Sequence, residues 1–128
     1  MMTQTQPFVF IRCNGKYVRL ALHEILYLES KKNYVQVVTE QKSYLALITL
    51  RQLEQELPAE LFCRVHRSFI VAVNHVMAFD NDTVQVQQKQ IPISEQYRQA
   101  LPARVTILGH DIRSKSSLST VNVDSLLN

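Results

Sequence analysis

Three short polar segments carry residue types that suit nucleic-acid binding. Each combines Lys or Arg with hydroxyl, imidazole or amide groups, and each lies next to an apolar run. Cations bind phosphates, and the planar groups of Arg, Asn and Gln pair with the edges of bases. The segments are Lys31-Lys32-Asn33-Tyr34, Arg64-Val65-His66-Arg67-Ser68 and Ser94-Glu95-Gln96-Tyr97-Arg98.

The first and third segments each have an interpretation without a ligand. The Lys31 segment suits a solvated hairpin tip, because Lys and Asn commonly occupy such tips. The Ser94 segment suits an ordinary capped helix start, although the N–H groups of such a start also hold phosphates. Gln96 there has the geometry to pair with adenine. The residues leave both interpretations open.

The middle segment favours a binding role. It contains no acid, and a planar Arg fork suits guanine or phosphate. Its alternative is a polar turn in which Ser68 or His66 bonds the backbone, and that turn is compatible with DNA binding. Strand alternation puts Arg64 and Arg67 on opposite faces, so a break at His66 is needed if both are to serve one surface.

The elements that position these segments are predicted to be mainly short strands. Asn14-Gly15 between two alternating runs predicts a hairpin, because both turn residues tolerate positive φ. Lys89 lies in the turn of another predicted hairpin, 83–93, and is a further candidate DNA contact. The predicted strands are 8–13, 16–22, 25–29, 34–39, 42–48, 62–65, 69–73, 76–79, 83–87 and 90–93, with 103–108 as a last candidate.

Two short helices interrupt the strands. From Thr49 the apolar residues recur at helical spacing, and Thr49-x-x-Gln52 predicts a capping box at the helix start. Pro58 ends this helix. A second short helix is predicted to follow Ser94 and to carry Tyr97. The fold class is therefore strand-dominated with two short helices.

Composition bounds the class of protein. The 128 residues fit one domain, and residues 109–128 have the polar composition of a tail or a disordered segment. The 14 Lys and Arg against 11 Asp and Glu give a net charge of +3, which permits a polyanionic partner without requiring one. The two glycines are too few for the glycine-rich phosphate loops of nucleotide-binding enzymes.

Cysteines and histidines favour neither a metal site nor catalysis. Cys13 and Cys63 form no C-x-x-C pair, and Cys63 with His66 and His75 would supply only three of the four ligands of a structural zinc. The four histidines lack zincin spacing and no nucleophile elbow accompanies them. We therefore expect no enzyme, no cofactor and no metal.

The compartment follows from two further features. No apolar run reaches the 18 residues of a membrane span, and residues 1–7 do not resemble a signal peptide. We expect a reduced, cytoplasmic protein without a membrane partner.

Between Ile25 and Leu101 the order of residues resembles the LytTR family of bacterial DNA-binding domains. The matching stretches are ILYLESKKNYVQVVT, TLRQLEQEL, FCRVHRSFIV and IPISEQYRQAL, in this order and at compatible spacing. The resemblance implies one domain over residues 1–108, mostly β, with an elongated set of small antiparallel sheets. It also implies loops that enter the major groove of double-stranded DNA, with base-reading positions near Asn33 and Tyr34, at Arg67 and near Gln96.

Two departures from the family pattern bear on the DNA sequence that is preferred. Ala72 stands where many members have Asn, and Glu95 stands where many have Arg. An acid at position 95 repels phosphate, or accepts a hydrogen bond from cytosine. These departures leave the expected fold unchanged.

The resemblance predicts a transcriptional regulator that binds repeated half-sites, as a homodimer on DNA. A receiver domain is about as long as this whole chain, so we expect a stand-alone regulator. Its control would come from a sensor or regulatory protein partner, from expression level or from the tail. The alternative function is a β-rich protein-interaction module that does not bind DNA.

Overall fold

The computed structural model describes residues 7–109. Ten strands and one α-helix, α1 (Leu50–Glu56), lie in this part of the chain. The predicted tail therefore falls outside the described residues from position 110 onward. The strands are β1 (Phe8–Cys13), β2 (Lys16–Ala21), β3 (Ile25–Ser30), β4 (Val35–Thr39), β5 (Ser43–Ala46), β6 (Phe62–His66), β7 (Phe69–Ala72), β8 (Val76–Phe79), β9 (Thr83–Val86) and β10 (Lys89–Pro92).

The strands form three small antiparallel sheets, which confirms the predicted fold class. A five-stranded sheet in the order β5-β4-β3-β7-β6 lies between a two-stranded sheet, β1-β2, and a three-stranded sheet, β10-β9-β8. Helix α1 connects β5 at one edge of the central sheet to β6 at the other edge. The antiparallel pairing of β3 with β7 places the β3–β4 and β6–β7 connections beside each other.

Local sequence signals account for two of these elements. Asn14 and Gly15 have φ values of 54° and 77°, so the predicted hairpin between β1 and β2 is confirmed. The predicted capping box is also confirmed: the Gln52 N–H donates to Thr49 Oγ1 at 3.1 Å, and the Thr49 N–H donates to Gln52 Oε1 at 3.2 Å. These bonds satisfy two N–H groups at the start of α1 that have no partner within the helix.

The central sheet is covered on both faces, and each face has its own core. Leu50, Leu53 and Leu57 of the α1 region pack with β1 and β2 on one face. Strands β9 and β10 pack on the other face. Adjacent residues of β7 belong to different cores, Ile70 to the first and Val71 to the second, as the alternation of a strand requires.

Two sequence predictions near the C-terminal end need correction. The second helix is a 3-10 helix, Glu95–Tyr97, and the Ser94 side chain makes no capping bond. The strand predicted at 103–108 is wrong. Pro102 instead begins a 3-10 helix, Pro102–Arg104, and Arg104 fixes that turn by donating to the carbonyl oxygens of Ala59 and Ala100, both at 3.0 Å.

Three further observations concern the described residues. Cys13 and Cys63 are both free thiols. Residues 7–109 contain no cluster of His, Cys, Asp and Glu that could hold a metal ion. Within the same range, no helix has the length and apolar character needed to cross a membrane.

Candidate nucleic-acid interface

The three polar segments meet at one end of the central sheet, which we call the loop end. The Ser30 N–H donates to the Ser68 carbonyl oxygen at 2.8 Å and joins the β3–β4 loop (residues 31–34) to the β6–β7 turn (residues 67–68). The Ser94 N–H donates to the Val65 carbonyl oxygen at 3.0 Å and joins the third segment (residues 94–98) to β6. Segments more than 25 positions apart in the sequence thus form one continuous surface.

The β3–β4 loop is closed by its own backbone and presents polar side chains outward. The Lys31 N–H donates to the Tyr34 carbonyl oxygen at 2.7 Å. Lys31 Nζ lies 3.4 Å from a carboxylate oxygen of Glu29, so its charge is partly compensated. Lys32 and Asn33 are exposed, and neither side chain has a bonding partner among residues 7–109. The loop lines one side of an open groove of about 350 Å³.

Strand β6 contains a break in strand alternation directly before the β6–β7 turn. The register between β6 and β7 shifts between Arg64 and His66, which is a β-bulge. Arg67 follows the bulge and lies in the turn, outside the sheet. Arg67 is exposed, and its guanidinium has no hydrogen bond or ion pair with any residue that the structure describes. Its planar fork is therefore free to bind a ligand.

Arg64 differs from Arg67, because its guanidinium is bonded within the domain and fixes the β6–β7 turn. Arg64 Nε donates to the His66 carbonyl oxygen at 2.9 Å, and one terminal nitrogen donates to the Arg67 carbonyl oxygen at 2.7 Å. The other terminal nitrogen donates to Glu54 Oε1 on α1 at 2.8 Å. The side chain is only 14% exposed, and its guanidinium lies 5.9 Å from the Tyr97 ring centroid.

His66 also bonds the turn. Its Nδ1 accepts a hydrogen bond from the Ser68 N–H at 3.0 Å, and its ring packs edge-on against Phe69 with centroids 5.8 Å apart. An imidazole nitrogen that accepts a hydrogen bond carries no proton, so the ring proton of neutral His66 lies on Nε2. The backbone-bonding turn considered from the sequence is thus present, together with a free Arg67.

The third segment is tethered to the β8–β9 turn. Arg98 Nε donates to the Asn81 carbonyl oxygen at 3.2 Å, and a terminal nitrogen of Arg98 donates to Asp82 Oδ1 at 3.0 Å. Gln96 is exposed, and its side-chain amide has no partner among the described residues. This segment therefore offers Gln96 to a ligand while Arg98 fixes its backbone.

Lys89 belongs to none of the three segments and begins β10. Its ammonium group is 6.0 Å from the ring centroids of both Tyr27 and Phe69. It therefore covers aromatic rings on one face of the central sheet, where a cation–π contact holds it.

The three groups with a shifted pKa belong to none of the three polar segments. Burial raises the pKa of the Cys63 thiol, so that this thiol stays protonated and unreactive. Burial, together with the carboxylate of Glu29, raises the pKa of the Tyr27 phenol. The N–H groups of Asp82 and Thr83 lower the pKa of the Asp80 carboxyl, because they bond its charged form.

Sequence reasoning missed two residues that support the surface. The sequence pattern predicted no role for Glu54, and it predicted Tyr97 only as part of a helix. Both contact Arg64 from elements that are distant in the sequence. A weak signal was available, since Glu54 is an acid on the helix that directly precedes an acid-free basic segment.

These features define a small mostly-β domain whose polar, basic surface is built from strand connections. The sequence matches the LytTr DNA-binding domain family over residues 15–106. The chain therefore belongs to the LytTR family of DNA-binding domains, as the sequence motifs predicted.

Curated relatives include regulators of two kinds. Over 90 residues the chain is 33% identical to the sensory transduction protein LytT of Bacillus anthracis, an alignment that covers 66% of this chain and 37% of LytT. Over 55 residues it is 42% identical to the CO-responsive transcriptional regulator RcoM of Rhodospirillum rubrum, covering 43% of this chain and 23% of RcoM. The match thus spans little more than a third of the LytT relatives.

A solved structure has a similar fold. The LytTr DNA-binding domain of a putative methyl-accepting/DNA response regulator from Bacillus cereus superposes with a TM-score of 0.64 at 26% sequence identity. The superposition covers 76% of this chain and 93% of that domain.

Proposed function

We propose that this domain binds double-stranded DNA in a sequence-specific manner and regulates transcription. The observation that carries the proposal is the convergence of three polar segments at the loop end, through the Ser30–Ser68 and Ser94–Val65 backbone bonds. Cations and planar donors are then available on one surface, which is what simultaneous contact with phosphates and base edges requires.

The side chains divide into two groups by their bonding. Arg67, Asn33 and Gln96 have free planar groups, and we assign them to base edges in the major groove. Lys31 and Lys32 are assigned to phosphates, with Lys32 the stronger contact because Glu29 compensates Lys31.

Arg64 and Arg98 are proposed as positioning residues, since their guanidinium groups are bonded within the domain. His66 and Ser68 shape the β6–β7 turn, and Ser94 holds the third segment against β6. A direct contact between Lys89 and DNA stays a prediction.

The domain is proposed to bind as a pair on repeated half-sites. A single domain of this size offers a modest interface, and two copies on adjacent sites gain affinity from their proximity. Control by a sensor or regulatory protein is part of the same proposal.

Selection from a random duplex library tests the proposal most directly. We expect enrichment of one short motif, in repeated copies, and binding that weakens steeply with salt because phosphate contacts release counterions. A library without an enriched motif, combined with weak salt dependence, would favour the alternative of a protein-interaction module.

A further inference from the structure

The β1–β2 hairpin holds cations that the proposed interface does not use. Residues 7–23 contain three Lys or Arg and no Asp or Glu. Lys16 follows the Asn14-Gly15 turn and is exposed, and its ammonium has no partner among the described residues. Arg12 belongs to the second residue pair from the turn, Arg12 with Tyr17, and donates to the Tyr17 hydroxyl at 3.1 Å.

The end of this hairpin opposite the Asn14-Gly15 turn lies away from the loop end. The Leu22 N–H donates to the Pro7 carbonyl oxygen at 3.0 Å and closes that end. Pro7 and Leu22 line one cavity together with Phe62 and Ala72. Phe62 begins β6 and Ala72 ends β7, so this pair marks the end of the central sheet opposite the β6–β7 turn.

The turn of the hairpin lies at the loop end. Arg12 and Tyr17 line a groove of about 290 Å³ with Leu47 and Ile48. Leu47 and Ile48 also line the groove of the β3–β4 loop, residues 31–34. The β1–β2 turn and the β3–β4 loop therefore lie on either side of Leu47 and Ile48. The cations of both connections are exposed at the loop end.

We propose that the β1–β2 turn makes a fourth contact with DNA, to the phosphate backbone beside the bases read by the three segments. Lys16 makes the contact, and Arg12 adds positive charge behind it. A Lys ammonium is a point charge without a planar fork, so this contact contributes affinity without sequence preference. The inference rests on the proposed function and extends its binding surface.

Substitution of Lys16 in the full chain tests the fourth contact. Lys16→Gln is expected to weaken binding to every duplex by the same factor and to lower the slope of log K against log salt by about 0.9, the loss of one phosphate contact. Lys42→Gln is the matched control, because Lys42 is also exposed but precedes β5 at the end opposite Leu47. We expect the control to retain the wild-type slope.

The length of the duplex provides a second readout that does not depend on charge alone. Trimming the DNA that flanks the selected motif is expected to weaken wild-type binding once the outer phosphates are removed. The affinity of the Lys16→Gln protein should not fall further on the same trimming, because this protein already lacks the contact to the outer phosphates. Lys16→Arg should restore both the slope and the sensitivity to trimming.

The outcomes separate this inference from the proposed function. An unchanged salt slope and an unchanged trimming loss in Lys16→Gln would overturn the fourth contact, while a relaxed base preference in Arg67→Ala would still support the three-segment surface. Failure of the wild-type chain to bind any duplex selectively would overturn the proposed function itself.

Discussion

Two arginines three positions apart have opposite relations to their surroundings. Arg64 donates to two carbonyl oxygens and one carboxylate, whereas Arg67 is exposed and unbonded within the described residues. The first arginine fixes the backbone from which the second extends. Because Arg64 bonds the Arg67 carbonyl oxygen while the Arg67 side chain is unbonded, substitutions at the two positions should have different effects.

Arg67→Ala removes the free fork and should cost on the order of 1–3 kcal/mol of binding free energy at the best site. Base preference at one position should relax, while the thermal unfolding midpoint stays near that of the wild type, because the Arg67 side chain has no hydrogen bond or ion pair with any residue from 7 to 109. Titration of matched duplexes with one base pair changed would measure this. Equal affinity of the variant and the wild type for the best site would contradict the role of Arg67.

Arg64→Lys keeps the charge but loses the fork that holds two carbonyl oxygens at once. We expect a loss of unfolding free energy of about 1–3 kcal/mol, since hydrogen bonds to partly buried groups are broken. Base preference at the Arg67 position should broaden as well, because the turn is less well fixed. A variant that is destabilised yet keeps the wild-type base preference would show that Arg64 acts only on stability.

At the scale of elements, two local signals predicted the structure correctly, whereas the long-range ion pairs were not predicted. The Asn14-Gly15 turn and the Thr49 capping box depend on residues within three positions, so the sequence sufficed for both. The ion pair of Arg64 with Glu54 spans ten positions, and that of Arg98 with Asp82 spans sixteen. Such pairs depend on the packing of sheets, which periodicity does not encode.

The second helix and the last strand illustrate the same limit. A capped helix after Ser94 was reasonable from its sequence, but the Ser94 N–H bonds Val65 across the molecule and the segment forms only a 3-10 turn. Residues 103–108 have apolar content suited to a strand. Arg104 fixes their start by bonds to Ala59 and Ala100, outside any sheet.

Thr49→Ala tests whether α1 supports the surface through its capping box. Loss of the side-chain acceptor should lower the free energy of unfolding by about 1 kcal/mol, measured by chemical denaturation. Thr49→Ser keeps the acceptor and should recover most of that loss. Base preference should change little in either variant, because the capping bonds join Thr49 only to Gln52 and involve none of the side chains assigned to bases. A stability loss equal in the Ala and Ser variants would contradict the capping role.

At the scale of the whole molecule, the modest net charge of +3 conceals an uneven distribution. Residues 64–68 and 7–23 are basic and contain no acid, while α1 supplies Glu54 beside Arg64 and Glu56 in the groove that Arg12 lines. The chemistry of the surface could be predicted from the sequence. Its assembly from separate strand connections became evident only from the sheet order.

If two domains bind one face of DNA as a pair, their affinity should depend on the spacing of the two sites. We expect a duplex with two motifs about 10 base pairs apart to bind two copies more tightly than one motif predicts, because the copies then lie on one face. Adding about half a helical turn between the motifs should abolish the gain. Sedimentation or mobility shifts would count the bound copies, and spacing-independent affinity would argue against a pair.

The pairing of β3 with β7 has a consequence for the order in which the domain acquires its binding surface. Tyr27 pairs with Val71, so more than forty further residues must be synthesised after β3 before β7, its second neighbour in the sheet, is complete. Contacts of such wide separation slow folding. A nascent chain that ends before β7 has the basic β3–β4 loop but lacks the Ser68 partner that joins the loop to the turn. The proposed DNA-binding surface is therefore complete only after β7 and the segment 94–98 have been synthesised.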